Sequence, residues 1–152
     1  MAGPVPYLLD TNIVLIATRA GNAAAAVIDQ RFSLKSSSFR PAICEVTVAE
    51  LLAFAQAWGS ARRTLLEGVL EDLLILPITP RVVHDEWARL RTHAKNHGLP
   101  VQHDHNDLWI AAVANVAKLT VITGDVAGFK PLKAAGLVSA EIVDLKSGLA
   151  AA

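Results

Sequence analysis

A single cysteine, Cys44, stands in this chain of 152 residues, so no disulfide can form within it. Net charge is equally lacking, because 14 basic residues balance 14 acidic ones. A module that binds nucleic acid through its phosphates alone is normally basic, and that class is disfavoured. A nuclease is not excluded, since metal ions can bring positive charge to the reacting phosphate. No apolar run approaches the ~18 residues of a membrane span. The N-terminus has no basic segment of the kind that opens a signal peptide, and Asp10 would interrupt its apolar part. The cytosol is therefore the expected compartment. No Gly-x-Ser-x-Gly elbow is present. Gly124 to Lys130 lacks the Gly-Lys-Ser/Thr ending of a phosphate loop. Internal repeats are absent too.

What the chain does have is apolar bulk. Hydrophobic residues make up 53% of it and the mean hydropathy is +0.39, against a usual share of ~45–50%. In a small domain such an excess commonly ends in a subunit or partner interface. The length suffices for one domain with a complete core, expected over residues 1–147, with 148–152 as a frayed tail.

Residues 5–9 form a compact apolar run ending in a polar turn, which predicts a short buried strand. Residues 11–17 predict a helix that Asp10 or Thr11 can cap, and the alanine-rich residues 22–30 a second one. A loop follows over 33–41, around Ser36-Ser37-Ser38. Residues 42–46 are a second strand candidate. Thr47 then opens a helix, with Glu50 at the spacing of a capping box. Gly59-Ser60 breaks it, and Ser60 caps the next helix, which runs to about Leu74. Residues 74–78 predict a third strand. Pro80 starts a long amphipathic helix with Val83, Trp87 and Leu90 on one face, ending near Gly98. After a polar linker over 98–105 come an apolar helix over 106–118, a strand over 120–122 and a last strand over 141–145. Strands alternating with helices predict an α/β fold, with a mostly parallel sheet covered on both faces.

Four acids sit where this order would gather them. Asp10 directly follows the first strand, and Asp125 follows the fourth through Thr123-Gly124. Glu50 and Asp107 lie in the first turns of helices. In an open parallel sheet, functional groups collect beyond the carboxyl ends of the strands, and right-handed crossovers bring those helix starts to one side. Taken singly, each acid has an ordinary reading: Asp10 and Asp107 as caps, Glu50 as half of the Thr47 box, Asp125 as a turn residue. Independent caps have no reason to share one edge. Acids at the ends of apolar segments are costly unless paired, so four that converge imply a cation. Carboxylate oxygens suit hard Mg2+ or Mn2+. One or two ions would relieve the mutual repulsion of such acids.

Leu9-Asp10-Thr11-Asn12, Thr47-Val48-Ala49-Glu50-Leu51, Asn106-Asp107-Leu108-Trp109-Ile110-Ala111-Ala112 and Thr123-Gly124-Asp125 resemble, in order and spacing, the successive motifs of the PIN domain. The resemblance covers nearly the whole chain, and Asp-Leu-Trp-Ile-Ala-Ala is its most specific part. In overall size the chain is similar to the VapC toxins of bacterial and archaeal toxin–antitoxin pairs. The resemblance implies a PIN-like α/β/α sandwich with a five-stranded sheet ordered 3-2-1-4-5, a homodimer, and Mg2+- or Mn2+-dependent cleavage of RNA. It implies Asp10, Glu50, Asp107 and Asp125 as metal-coordinating catalytic acids, with Asn12 and Thr123 as supporting polar groups. It also implies a cognate VapB-like antitoxin that neutralises the enzyme. Two departures stand out: Phe54 where many such toxins have glycine, and Gly128-Phe129 in place of a frequent Asp-Phe. They bear on packing and substrate contacts rather than on the acids. Two other readings keep the fold: a non-catalytic RNA-binding or interaction protein, and a PIN nuclease of RNA processing without an antitoxin.

Candidates for holding RNA around an acidic centre are Arg62, Arg63, Arg89, Arg91, Lys95, Lys130 and Lys133, although each also suits a solvated helix face. Asp104 either adds to the acidic pocket or is an exposed loop charge. His93 and His97 share a helix face, and His103 and His105 flank Asp104. The His-Glu-x-x-His zinc motif nonetheless fails, because Ala94 stands where the glutamate belongs. These histidines read as surface groups near a binding groove. Trp58, Trp87 and Trp109 fall on helix patterns and read as core or interface rather than as base-stacking platforms.

Overall fold

The computed structural model describes residues 7–35, 40–99 and 106–151. Strands and helices alternate as β1 (Tyr7–Leu9), α1 (Thr11–Ala17), α2 (Ala23–Arg31), β2 (Ala42–Cys44), α3 (Glu45–Ala55) and α4 (Ser60–Glu71). They continue as β3 (Leu74–Leu76), α5 (Arg81–Asn96), α6 (Asn106–Ala117), β4 (Thr120–Thr123), α7 (Val126–Ala134) and β5 (Ala140–Ile142). Every pairing between these strands is parallel, in the order β3-β2-β1-β4-β5. The expected order and class are those found.

Successive strand residues point to opposite faces, and the two faces carry separate cores. Leu8, Cys44 and Val121 pack with Leu90 of α5, Leu108 and Ala111 of α6, and Phe129 of α7. Leu9, Ile43 and Ile122 pack with Ile13 of α1, Ile28 of α2, Leu51 of α3 and Leu66 of α4. The result is an α/β/α sandwich. Burial on both faces explains why these strands read as continuous apolar runs.

Three local expectations are corrected. Helix α3 begins at Glu45 with Cys44 as its cap residue, so Thr47 lies inside the first turn and forms no capping box with Glu50. The β2 strand delivers the chain directly into helix, and Glu45 Oε1 accepts from Ile78 N–H at 2.6 Å, tying the end of β3 to the start of α3. Helix α4 has Gly59 rather than Ser60 at its cap position, and no side-chain cap bond. Residues 148–151 are no frayed tail. Gly148 N–H donates to Asp144 O at 2.7 Å, Ala151 N–H to Ile142 O at 2.9 Å, and Arg31 Nη1 to Gly148 O at 2.5 Å. These bonds satisfy groups that a loose end would leave to water.

Helix α7 has no counterpart among the predicted elements, since Gly128 and Pro131 both disfavour helix. Tertiary burial overrides that propensity, because Phe129 and Leu132 are enclosed against the sheet. Residues 5 and 6 of the first predicted strand, Ser36-Ser37-Ser38, and the linker segment with His103, Asp104 and His105 lie outside the described residues.

Candidate active site

Asp10 is the hinge of the carboxyl edge. Its N–H closes the β1–β4 ladder on Ile122 O at 2.9 Å. Its Oδ1 caps α1 by accepting from Thr11 N–H at 2.8 Å. Oδ2 accepts from Thr123 Oγ1 at 2.7 Å and from Asn12 Nδ2 at 3.2 Å. Asn12 Oδ1 in turn accepts from Gly124 N–H at 2.8 Å, and Thr123 Oγ1 from Asp125 N–H at 2.9 Å. The two central strand ends are thereby stitched together around one carboxylate, with Asn12 and Thr123 as the stitches. The cap reading of Asp10 is borne out.

Asp10 is 3% exposed. Among the described residues no lysine, arginine or histidine pairs with it. Burial, with smaller help from the charges of Glu50 and Asp125, raises its pKa to about 6 against the hydrogen bonds from Thr123 and Thr11. Those two acids therefore act on Asp10 electrostatically. Glu50 reaches the same edge from α3, where its Oε1 accepts from Thr11 Oγ1 at 2.7 Å. Thr47 Oγ1 lies 3.1 Å from that hydroxyl.

Asp107 enters from the first turn of α6. Asp125 caps α7, its Oδ1 accepting from Gly128 N–H at 3.0 Å. Gly128, expected as a departure from Asp-Phe that leaves the acids untouched, in fact lies against two of them. A Cβ there would collide with Oδ2 of both Asp107 and Asp125, so the missing side chain is the room in which these two carboxylates meet. A glycine three residues beyond an acid at a strand end was the available signal.

Among the described residues, no group of three or more acidic, histidine or cysteine side chains forms a ready-made metal cage. The acids stand instead as two pairs: Asp10 with Glu50 through Thr11, and Asp107 with Asp125 at Gly128. That arrangement suits Mg2+, which keeps several waters and takes one or two carboxylates directly. The donors are all oxygens, and the buried Asp10 charge is otherwise uncompensated. The residues present fit a hard divalent cation.

The candidate substrate arginines are mostly engaged elsewhere. Arg63 donates to the last carbonyls of α3, from Nε to Ala55 O at 2.9 Å and from Nη2 to Gln56 O at 3.1 Å. Arg89 forms a fork on Glu86, with both bonds at 2.7 Å. It lines a cavity with Thr120 and Ser139, at the amino edge of the sheet and away from the acids. Arg62 packs on Trp58 beside α1. Lys130 is exposed on α7. His93 and His97 stack on each other at 5.8 Å near the end of α5. Asp104 lies outside the described residues.

The sheet order and its acid-lined edge define a class, and the chain belongs to the PIN domain family, which it matches over residues 7–132. It is similar to Ribonuclease VapC5 of Mycobacterium tuberculosis, 37% identical over 123 residues, or 80% of this chain and 84% of that one. The crystal structure of VapBC-5 from Mycobacterium tuberculosis, of the VapBC family of toxin-antitoxin systems, matches with a TM-score of 0.64 and 32% identity, covering 92% of this chain and 100% of that one. VapBC2 from Rickettsia felis, solved bound to a promoter DNA fragment, shares the fold with a TM-score of 0.74 at 24% identity, covering 91% of this chain and 98% of that one.

Proposed function

We propose that this chain is a divalent-metal-dependent endoribonuclease toxin, neutralised by a cognate VapB-like antitoxin. The observation that carries the reading is Asp10: a carboxylate enclosed at the carboxyl edge, without a cationic partner among the described residues, under the charges of Glu50 and Asp125. Similarity to Ribonuclease VapC5 supports RNA as the substrate, and likeness to VapBC-5 supports an antitoxin. Asp10, Glu50, Asp107 and Asp125 would hold Mg2+ or Mn2+. Bound there, the ion supplies positive charge to the scissile phosphate and lowers the pKa of an attacking water.

The chain's own part is positioning. Asn12 and Thr123 fix the Asp10 carboxylate, Thr11 fixes Glu50, and Gly128 leaves space for Asp107 and Asp125. In this reading the protein works in the cytosol as a homodimer. Exposed Leu74, Ile75 and Val82 offer apolar area for protein contacts. Among the described residues no helix is long and apolar enough to cross a membrane. An inhibitor of this edge has to satisfy acids, so its blocking segment carries arginine or lysine, arginine being better because it pairs two carboxylate oxygens at once.

The test is expression in cells alone and together with any small reading frame found upstream. Alone, the protein should arrest growth and cleave RNA, and Asp10→Asn should be harmless. Co-expression should restore growth and yield a stable complex. Harmless expression of soluble protein that cleaves RNA in vitro would defeat the toxin assignment while leaving the nuclease. Inability of the metal-loaded protein to cleave RNA would defeat both.

A further inference from the structure

Acids can act on a phosphate only if the strand beside it is held, and the surface along α1 and α3 carries groups that the metal site does not use. Both helices start at the carboxyl edge and run away from it together. Thr11 of α1 meets Thr47 and Glu50 of α3 at one end, and beyond the end of α3, Arg62 of α4 reaches Thr18 at the far end of α1. Arg62 is held in place. Its Cζ lies 3.8 Å from the Trp58 ring centroid, Nε donates to Thr18 Oγ1 at 3.1 Å, and Nη2 to Leu15 O at 3.4 Å. Directly after Thr18 stands the exposed Arg19. Burial, and then the Arg19 charge, lower the Arg62 pKa.

Among the described residues no carboxylate pairs with either guanidinium. Arg81 and Arg89 are by contrast matched by Asp85 and Glu86. Two neighbouring guanidiniums without a counter-ion repel, and an anion between them reverses the sign of the interaction. Between this pair and the acids lies Phe54, one helical turn beyond Glu50 on α3 and 51% exposed. The order along the surface is thus acid, aromatic, cation pair. Single-stranded nucleic acid is gripped by that combination of stacking ring and basic group.

We propose that this surface holds the RNA strand beside the cleaved bond, with Phe54 stacked on a base and the Arg19–Arg62 pair bonded to a phosphate. The inference rests on the nuclease reading above. From Thr11 to Thr18 the helix rises on the order of 10 Å, which sets the distance between the metal-binding edge and that phosphate. Arg62 is fixed by its bonds, and Arg19 closes on the anion from the other side.

The test measures binding of a short single-stranded RNA to protein carrying Asp10→Asn, which prevents cleavage, across a range of salt. Arg19→Gln should weaken binding several-fold and reduce the slope of log K against log[salt] by about 0.7. Phe54→Ala should weaken binding roughly ten-fold and leave that slope unchanged, while Phe54→Tyr retains affinity. With Asp10 intact, Arg19→Gln and Phe54→Ala should raise KM and leave kcat within about two-fold, with wild-type melting temperatures. Unchanged affinity and KM in both variants of a protein that does cleave RNA would overturn the strand assignment and spare the nuclease. A Phe54→Ala protein that binds RNA normally but loses its dimer or antitoxin complex would give this face to a protein partner and overturn it as well. No RNA cleavage by the metal-loaded wild type would remove the nuclease reading, and this one with it.

Discussion

At the amino edge of the sheet, Glu86 lines an open cavity of about 690 Å³ with Asn115, Thr120 and Ser139. It accepts two bonds from Arg89 and one from Asn115 at 2.8 Å, and Arg89 first, then Asn115, hold its pKa below the usual carboxylate range against its partial burial. Among the described residues Asp10, at the carboxyl edge, has neutral donors only; burial first, then the negative charges of Glu50 and Asp125, lift its pKa to about 6. One acid is neutralised where it stands, and the other is left short of positive charge. The amino-edge cavity thus holds a compensated acid, and the uncompensated one stands elsewhere. Uncompensated buried charge, rather than cavity volume, is what sets the carboxyl edge apart.

The sharpest way to break that comparison is Asp10→Asn. The amide keeps the Thr11 cap and nearly the shape, but loses the charge that attracts a cation. RNA cleavage should fall by roughly 100-fold or more, as expected when several kcal/mol of metal stabilisation are lost. A metal-loaded variant with near wild-type turnover would reduce Asp10 to a helix cap. Next in size is Gly128→Ala, whose methyl group would meet Asp107 and Asp125. We expect metal affinity or activity to drop by about 10- to 100-fold, with little change in folding. Unaltered metal titration would show that the two carboxylates need no shared space.

The pH dependence of metal-free stability sharpens the same point. Folded Asp10 keeps its proton up to about pH 6, while the unfolded chain releases it near 3.8. Between these values the native state holds more protons, so its stability should fall as pH rises from about 4 to about 6. The difference is worth about 3 kcal/mol. Denaturant melts in EDTA should show this fall in the wild type and not in Asp10→Asn. A rise over that range would contradict the assigned sign. Smallest is Glu86→Gln at the amino edge, expected to lower stability by about 1 kcal/mol and leave RNA cleavage unchanged. Loss of activity there would undo the division between the edges.

Much of this was legible in the chain. Apolar runs such as Leu8-Leu9 and Val121-Ile122, each followed by an acid, gave away strands buried on both faces and the edge where Asp10 and Asp125 stand. Asn12 and Thr123 followed from the PIN resemblance, and the structure gives them their hydrogen bonds. What failed were features decided at a distance. Thr47 at a plausible cap spacing is overridden because β2 feeds α3 directly at Glu45. Helix α7 forms in spite of Gly128 and Pro131 because Phe129 and Leu132 bury against the sheet. Arg63 and Arg89 look like RNA contacts until the α3 carbonyls and Glu86, placed by the fold, claim them. Phe54 and Arg62 acquire meaning only once α3 and the start of α4 lie along α1.

The central claim is that the carboxyl edge is left short of positive charge because a divalent cation completes it. The most direct measurement is a titration of Mn2+ or Mg2+ into metal-free protein at pH 8, following melting temperature and RNA cleavage on the same samples. Cleavage should be absent at first and rise along the same saturation curve as the melting temperature, and Asp10→Asn should flatten both. Undiminished cleavage by metal-free protein in EDTA, or a metal-dependent melting curve indifferent to Asp10→Asn, would contradict the account.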